Sequence, residues 1–272
     1  MKFSCSYRYI YFLGKKRLSC NGGEDALSKL VYNKITKSFI TVRGETVTAL
    51  KDITLTVKDG ELYCLVGKSG CGKTSLLRMT AGLDTPTSGS VTLNGKEVRD
   101  PTPKVGIVFQ EDRLFPWRTI RKNVEFGLEL GNVGKRERKE RALHYLDLVG
   151  LSSFAEAHPH ELSGGMKQRA AIARALVNEP EVLLMDEPFG ALDAQTRLQM
   201  QEELIRIYEK ARRTIVFVTH SVDESVYLAD KVVILTPSPG HIEEIVEINV
   251  PRPRDRTAPE VVRYVIKIMA HF

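Results

Sequence analysis

Residues 67–74 read Gly-Lys-Ser-Gly-Cys-Gly-Lys-Thr, a glycine-spaced run that ends in a lysine and a hydroxyl. Glycines let backbone N–H groups wrap an anion, an ammonium neutralises it, and a threonine hydroxyl ligates magnesium. The run fits G-x-x-x-x-G-K-[ST], and it lies between the apolar 62–66 and the helical 75–78, the strand-to-helix context that pattern needs. Gly67, Lys68, Ser69, Gly70, Cys71, Gly72, Lys73, Thr74 and Ser75 are therefore expected to cradle phosphates. Lys73 would meet the β/γ oxygens and Thr74 the metal.

Two adjacent carboxylates, Asp186 and Glu187, end the apolar run 182–185. Asp186 can hold magnesium, directly or through water, while Glu187 can polarise an attacking water as a general base. His220 ends the next strand, 214–219. A lone histidine at a strand end is more often structural, but its place one strand after the carboxylates favours contact with a γ-phosphate. Gln110 ends the strand 105–109, where its amide could touch magnesium or the lytic water. The loop that follows, 111–120, contains Leu114, Phe115, Pro116 and the one tryptophan, Trp117. That cluster reads either as core or as a socket for a partner's helix.

A second helix start capable of holding an anion lies at 162–169, Leu-Ser-Gly-Gly-Met-Lys-Gln-Arg. Ser163 offers an N-cap hydroxyl, and Gly164 and Gly165 bare the helix terminus. Two such starts with only one set of catalytic carboxylates suggest that each site needs a second copy of the chain.

The elements that must position these residues follow from patterning. Strand-like runs recur at 30–35, 47–57, 62–66, 105–109, 182–185, 214–219 and 231–235, with helical patterns at 74–81, 138–149, 165–178, 194–211 and 222–229. Continuous apolar strands such as 182–185 suit a parallel sheet buried on both faces, and their alternation with helices predicts α/β architecture. Residues 113–180 differ: they read as helical with no strand between, a helical subdomain inserted between two sheet strands. There Ala142, Leu143, Leu146 and Val149 share one helix face. The sequence 251–256, Pro-Arg-Pro-Arg-Asp-Arg, interrupts regular structure before a last helix near 259–271.

At 272 residues the chain can bury a substantial core, and its 42% hydrophobic and 27% charged residues are ordinary for a globular protein. No apolar run approaches the roughly 20 residues that span a bilayer. The apolar 9–13 lacks the flanks of a signal peptide, so residues 1–26 read as a poorly ordered tail. Cys5, Cys20, Cys64 and Cys71 have neither zinc spacing nor a disulfide pattern, which points to reduced thiols and a cytoplasmic setting. The net charge of +6 raises nucleic acid or an anionic membrane as partners. Residues 135–141 mix signs, which suits a solvated helix face better than a DNA stripe.

With these residues in hand, the chain resembles the ATP-binding cassette (ABC) ATPases over roughly 28–235. The motifs are the phosphate loop (67–74), Gln110, the signature (162–169), Asp186-Glu187, Ala191-Leu192-Asp193 and His220, in that family's order. The resemblance implies a P-loop core with a mostly parallel sheet, an antiparallel β subdomain and the helical insert. It implies Mg-ATP as ligand and a head-to-tail homodimer in which Ser163, Gly164, Gly165 and Gln168 of one copy face the nucleotide held by the other. Phe39 resembles the aromatic that stacks on adenine, although the loop through Thr46 looks long for that placement. Asp193 joins the nucleotide set, and Gln110 joins Thr74 and Asp186 at the metal.

A narrower likeness lies in 111–117 and in 238–256, which look like the nitrate/sulfonate/taurine-type importer ATPases. It implies a membrane permease docked on the loop with Phe115 and Trp117, an external solute-binding protein, and a place on the cytoplasmic face of the membrane. The solute class implied is nitrate, sulfonate, taurine or bicarbonate-like. Ser221 departs from the family's usual aspartate after the histidine. The domain reading is a tail (1–26), an ATPase domain (27–240, helical part about 113–180) and a C-terminal extension (241–272). A soluble switch acting on nucleic acid or the ribosome is the alternative. The single phosphate loop and the short stretch from Gln110 to Leu162 weigh against it.

Overall fold

The structure, a computed structural model, describes residues 28–272 apart from Ala191 and Arg212. The tail expected over 1–26, with Cys5 and Cys20, lies outside the described residues, as does Ala191.

Two sheets organise the chain. The strands β1 (Ser28–Ile40), β2 (Thr46–Lys58), β4 (Ser88–Leu93) and β5 (Lys96–Glu97) form an antiparallel sheet in the order β2-β1-β4-β5. The second sheet contains β3 (Leu62–Val66), β6 (Val105–Val108), β7 (Val182–Asp186), β8 (Thr214–Thr219), β9 (Lys231–Leu235) and β10 (Ile242–Glu247). Its order is β10-β9-β3-β8-β7-β6, parallel except for the antiparallel edge pair of β10 with β9. The fold is thus α/β, with a mixed, mostly parallel sheet, an antiparallel β unit and a helical region.

The period of two along each buried strand splits the core into two layers. Leu62, Cys64 and Val66 of β3 face the helices on one side, together with Leu183, Met185, Ile215 and Phe217. Tyr63 and Leu65 face the other way, with Leu184, Val216 and Val218, toward the antiparallel sheet and α1 (Lys73–Thr80). Both faces are therefore covered, which explains why these strands read as unbroken apolar runs.

The region between β6 and β7 is helical, as its pattern predicts: α2 (Ile120–Leu130), α3 (Lys135–Leu148) and α4 (Gly164–Leu176) pack together. Ala142, Leu146 and Val149 are fully buried, while Arg136–Glu140 and Arg141–Glu137 pair along the solvated face of α3. The remaining helices are α5 (Ala194–Ala211), α6 (Val222–Leu228) and α7 (Pro259–Met269).

Several elements depart from the sequence reading. Helix α3 begins earlier than 138, and α2, β4, β5 and β10 had no clear period. The connection before Thr46 is a short turn over 41–45, because β1 and β2 are both long. Residues beyond 240 continue the main sheet through β10. Arg254, which is almost wholly buried, then donates to the carbonyls of Val226 and Ala229, both at 2.6 Å, and closes the C-terminal end of α6.

Candidate functional site

Parallel order alone brings the candidate residues to one edge. Strands β3, β8 and β7 are adjacent and parallel, so their C-terminal ends present the phosphate loop, His220 and the Asp186-Glu187 pair side by side. Thr74 Oγ1 donates to Asp186 Oδ1 at 3.1 Å. His220 Nδ1 lies 3.3 Å from Glu187 Oε2.

Within the loop, Lys68, Ser69 and Gly70 are exposed and Gly67 is buried. The Lys73 ammonium, itself buried, lies inside the loop, donating to the carbonyls of Gly67 (2.6 Å) and Lys68 (3.2 Å) and facing Cys71 Sγ at 3.7 Å. Cys71 is fully buried and acts as a small packing side chain. Gly72 has φ 94°, and a Cβ there would lie 2.5 Å from Leu50 Cδ2, so only glycine fits where the loop turns into α1. Ser75 is half-buried in the first turn of α1.

Asp186 has its carboxyl pushed up, first by burial and further by the neighbouring Glu187 charge, against the opposing Thr74 hydrogen bond. A carboxyl so placed gains from a cation. Thr74 and Asp186 supply an all-oxygen pair, the chemistry magnesium prefers when phosphates and water complete its shell. These residues fit that ion. Glu187 takes φ 45°, and its N–H donates to Val218 O at 3.0 Å, so cross-strand pairing holds the uncommon backbone in place.

Gln110 is exposed just beyond β6, with its Nε2 3.3 Å from where a Cβ on Gly190 would lie. Its amide thus faces the turn after Glu187. Phe39, 43% exposed near the end of β1, pairs with Val47 and carries the Lys37 ammonium 5.0 Å from its ring centroid. Asp193 caps α5, accepting from Thr196 N–H at 3.0 Å, and the Thr196 side-chain hydrogen bond first, with that backbone bond, holds its carboxyl below the usual range.

The second helix start stands apart. Ser163 caps α4 by accepting from Met166 N–H at 3.3 Å, and Ser163 and Gly164 are exposed. A Cβ on Gly165 would come 2.7 Å from Thr196 Cγ2. Gln168 is buried, and its Nε2 has no hydrogen-bond partner among the described residues; it lines a cleft with Gln110, Arg113, Gly164 and Leu192.

The loop after Gln110 is held from within. Asn123, fully buried on α2, accepts from Phe115 N–H at 2.7 Å and donates to the carbonyls of Phe115, Arg118 and Thr119, each at 3.1 Å. Phe115 packs edge-on against Phe126, and Trp117 projects beyond them 73% exposed. Leu114 alone of the expected cluster is core.

One contributor was not among the expected site residues. Gly240 donates to Ala49 O at 2.8 Å and accepts from Lys51 N–H at 2.9 Å, and a Cβ on it would lie 2.1 Å from Cys71 O. It packs directly beneath the phosphate loop. Its sequence cues are a place in the 238–256 likeness and a preceding proline after β9.

Comparison with known proteins agrees with this geometry. A family model described as "ABC transporter" matches residues 50–190. The ABC transporter ATP-binding protein MJ0412 of Methanocaldococcus jannaschii, itself uncharacterized, is 55% identical over 241 residues, covering 89% of this chain and 90% of that relative. The nitrate import ATP-binding protein NrtD of Synechocystis is 49% identical over 239 residues, covering 85% and 90%. Among solved structures, a dimeric post-hydrolysis state of the ATP-binding cassette MJ0796 bound to ADP and Pi superposes with a TM-score of 0.71. It is 32% identical and covers 82% of this chain and all of that one.

Proposed function

The chain belongs to the ABC transporter family as an ATPase, and from that premise we propose that it powers import of a small solute of the nitrate, sulfonate, taurine or bicarbonate-like class. The observation that carries the catalytic reading is the juxtaposition of Thr74 with Asp186 and of His220 with Glu187 at one sheet edge.

The backbone N–H groups of 67–74 and the Lys73 ammonium bind the β- and γ-phosphates. Thr74 and Asp186, joined by Gln110, hold magnesium, which when bound screens the phosphate charge. Glu187 accepts the proton of the water that attacks the γ-phosphorus. The bond to the β-bridging oxygen breaks, and ADP and phosphate leave. His220 holds the γ-phosphate in line. Phe39 stacks on adenine.

The dimeric cassette to which the chain is similar supports a head-to-tail homodimer. Ser163, Gly164 and Gly165 of one copy complete the site of the other, with Gln168 and Asp193 beside them. Among the described residues no helix is long and apolar enough to cross a membrane. We place the subunit on the cytoplasmic face, docked to a permease through Phe115 and Trp117, in a system with an external solute-binding protein. The division into an ATPase domain (27–240) with a helical part and a C-terminal extension (241–272) belongs to the same proposal.

The test is solute uptake by the assembled complex in proteoliposomes. Uptake should require Mg-ATP inside and the binding protein outside, and should stop with Glu187→Gln. Uptake that persists with Glu187→Gln would overturn the reading.

A further inference from the structure

The run 251–256 takes no part in the chemistry above, yet its arginines turn inward. Arg252 pairs with Asp230 at 2.6 Å, and Arg254 closes the end of α6. Arg256 instead meets side chains. Its guanidinium carbon lies 3.5 Å from the Tyr227 ring centroid, and Nη2 donates to Gln201 Oε1 at 2.5 Å. Gln201, buried on α5, donates in turn from Nε2 to Glu224 Oε1 at 2.7 Å. Glu224 lies in the first turn of α6, where its N–H donates to Ser221 Oγ at 3.3 Å, and it lines the same small cavity as Thr219. Thr219 Oγ1 accepts from Ser221 N–H at 3.0 Å. Between Thr219 and Ser221 stands His220.

The path has a fixed polarity. A guanidinium only donates and a carboxylate only accepts, so an amide between them must turn its oxygen to Arg256 and its nitrogen to Glu224. Removing Arg256 leaves the Gln201 oxygen without its donor and the amide free to rotate away from the carboxylate. Glu224, buried and facing Arg197 and His220, then loses a donor it needs. Glu224, Thr219, His220 and Glu187 line one small cavity, so a slack turn is felt where water must be positioned.

We infer that Arg256 is a positioning residue for hydrolysis: it orients Gln201, so that Glu224 holds the 219–221 turn and keeps His220 facing Glu187. The inference rests on the reading of Glu187 and His220 as the hydrolytic pair.

The test is steady-state ATP hydrolysis by the full-length chain. Arg256→Met keeps an aliphatic stem against Tyr227 but has no donor. Its kcat should fall about fivefold to tenfold with KM for ATP within about twofold, since the phosphate loop is untouched. Arg256→Lys should restore part of the loss. Gln201→Met should match Arg256→Met, and the double variant should lose no more than either alone. An unchanged kcat, a rise in KM in place of a fall in kcat, or additive losses would overturn the inference. If Arg256→Met does not accumulate as folded protein, the kcat of Gln201→Met decides the matter by itself. Glu187→Gln in the same assay separates the two claims. Normal turnover there sinks the reading of the site, whereas a dead Glu187→Gln beside a normal Arg256→Met sinks only this inference.

Discussion

His220 Nδ1 stands 3.3 Å from Glu187 Oε2, although the two residues are 33 positions apart and lie past the ends of different strands. Adjacent parallel pairing of β7 with β8 makes the meeting possible, and the positive φ of Glu187 belongs to the turn that carries its carboxylate. A residue held in that backbone region costs on the order of 1–3 kcal/mol, a strain that a fold tolerates where geometry is used.

Glu187→Gln keeps the shape and removes the base. ATP binding should persist while hydrolysis drops by about 100-fold or more. The variant should elute as a dimer with ATP bound, because the step that dissolves the closed state is blocked. Size-exclusion chromatography with and without ATP checks this, and a variant that stays monomeric with ATP counts against the shared-site arrangement.

Sharing of the site is tested by mixing two dead variants. Lys73→Ala removes the phosphate ammonium, and Ser163→Arg obstructs the helix start that faces the other copy. In a mixed dimer both lesions fall in one site and the second site is intact. An equimolar mixture should therefore recover about a quarter of wild-type ATPase activity. Silence of the mixture, with mixed dimers demonstrated by differential tags, would mean that each chain uses its own Ser163.

Much of this site was legible because its chemistry is tied to local sequence. The loop 67–74 and the cap at Ser163 are contiguous and depend on glycine and hydroxyl types at fixed offsets. The continuous apolar strands gave away a doubly covered sheet. Glycine and serine at the start of β4 and the glutamates of β10 hid the strand period, and Asn123, Glu125 and Gly127 blurred the helical period of α2. Gly240, Asn123 and Arg256 were not legible as site residues. Each acts through a contact 8 to 169 positions away, and a lone Gly, Asn or Arg carries no periodicity that would announce it.

Gly240 gives the sharpest case. Gly240→Ala places a methyl group 2.1 Å from the Cys71 carbonyl oxygen, so the loop or the 239–241 turn must move. Overpacking of this kind costs about 1–3 kcal/mol. ATP affinity should weaken by about tenfold or more, because the moved backbone is the one that binds phosphate. Equilibrium nucleotide binding measures it, and unchanged affinity would show that the turn yields without the loop.

Asn123→Ala should destabilise the chain by about 2–3 kcal/mol, since it leaves the Phe115 N–H and three carbonyls short of a buried partner. The loop presenting Phe115 and Trp117 loses its internal anchor. Co-purification with the permease should fall more steeply than the denaturation midpoint. Equal losses in both would mean that the loop does not carry the docking.

The C-terminal helix should respond to pH through His271. Its Nδ1 lies 3.0 Å from Glu243 Oε1 and its Nε2 3.0 Å from Glu244 Oε2, while Lys267 Nζ meets Glu244 Oε1 at 2.6 Å. The imidazolium thus ties the residues after α7 to two carboxylates of β10. The Glu243 hydrogen bond chiefly, with both glutamate charges, raises the His271 pKa above its ordinary value of about 6.5. A histidine raised in the folded state stabilises fully below its unfolded pKa, and that contribution is lost as pH rises through the folded value. Amide exchange in α7, corrected for its intrinsic pH dependence, should therefore accelerate as the solution moves from below pH 6.5 to the alkaline side. In His271→Gln the tie is missing at every pH, so exchange should be faster at low pH and flat across the range. A wild-type profile that coincides with His271→Gln would show that Lys267 and the buried Val261 and Ile268 hold the helix without it.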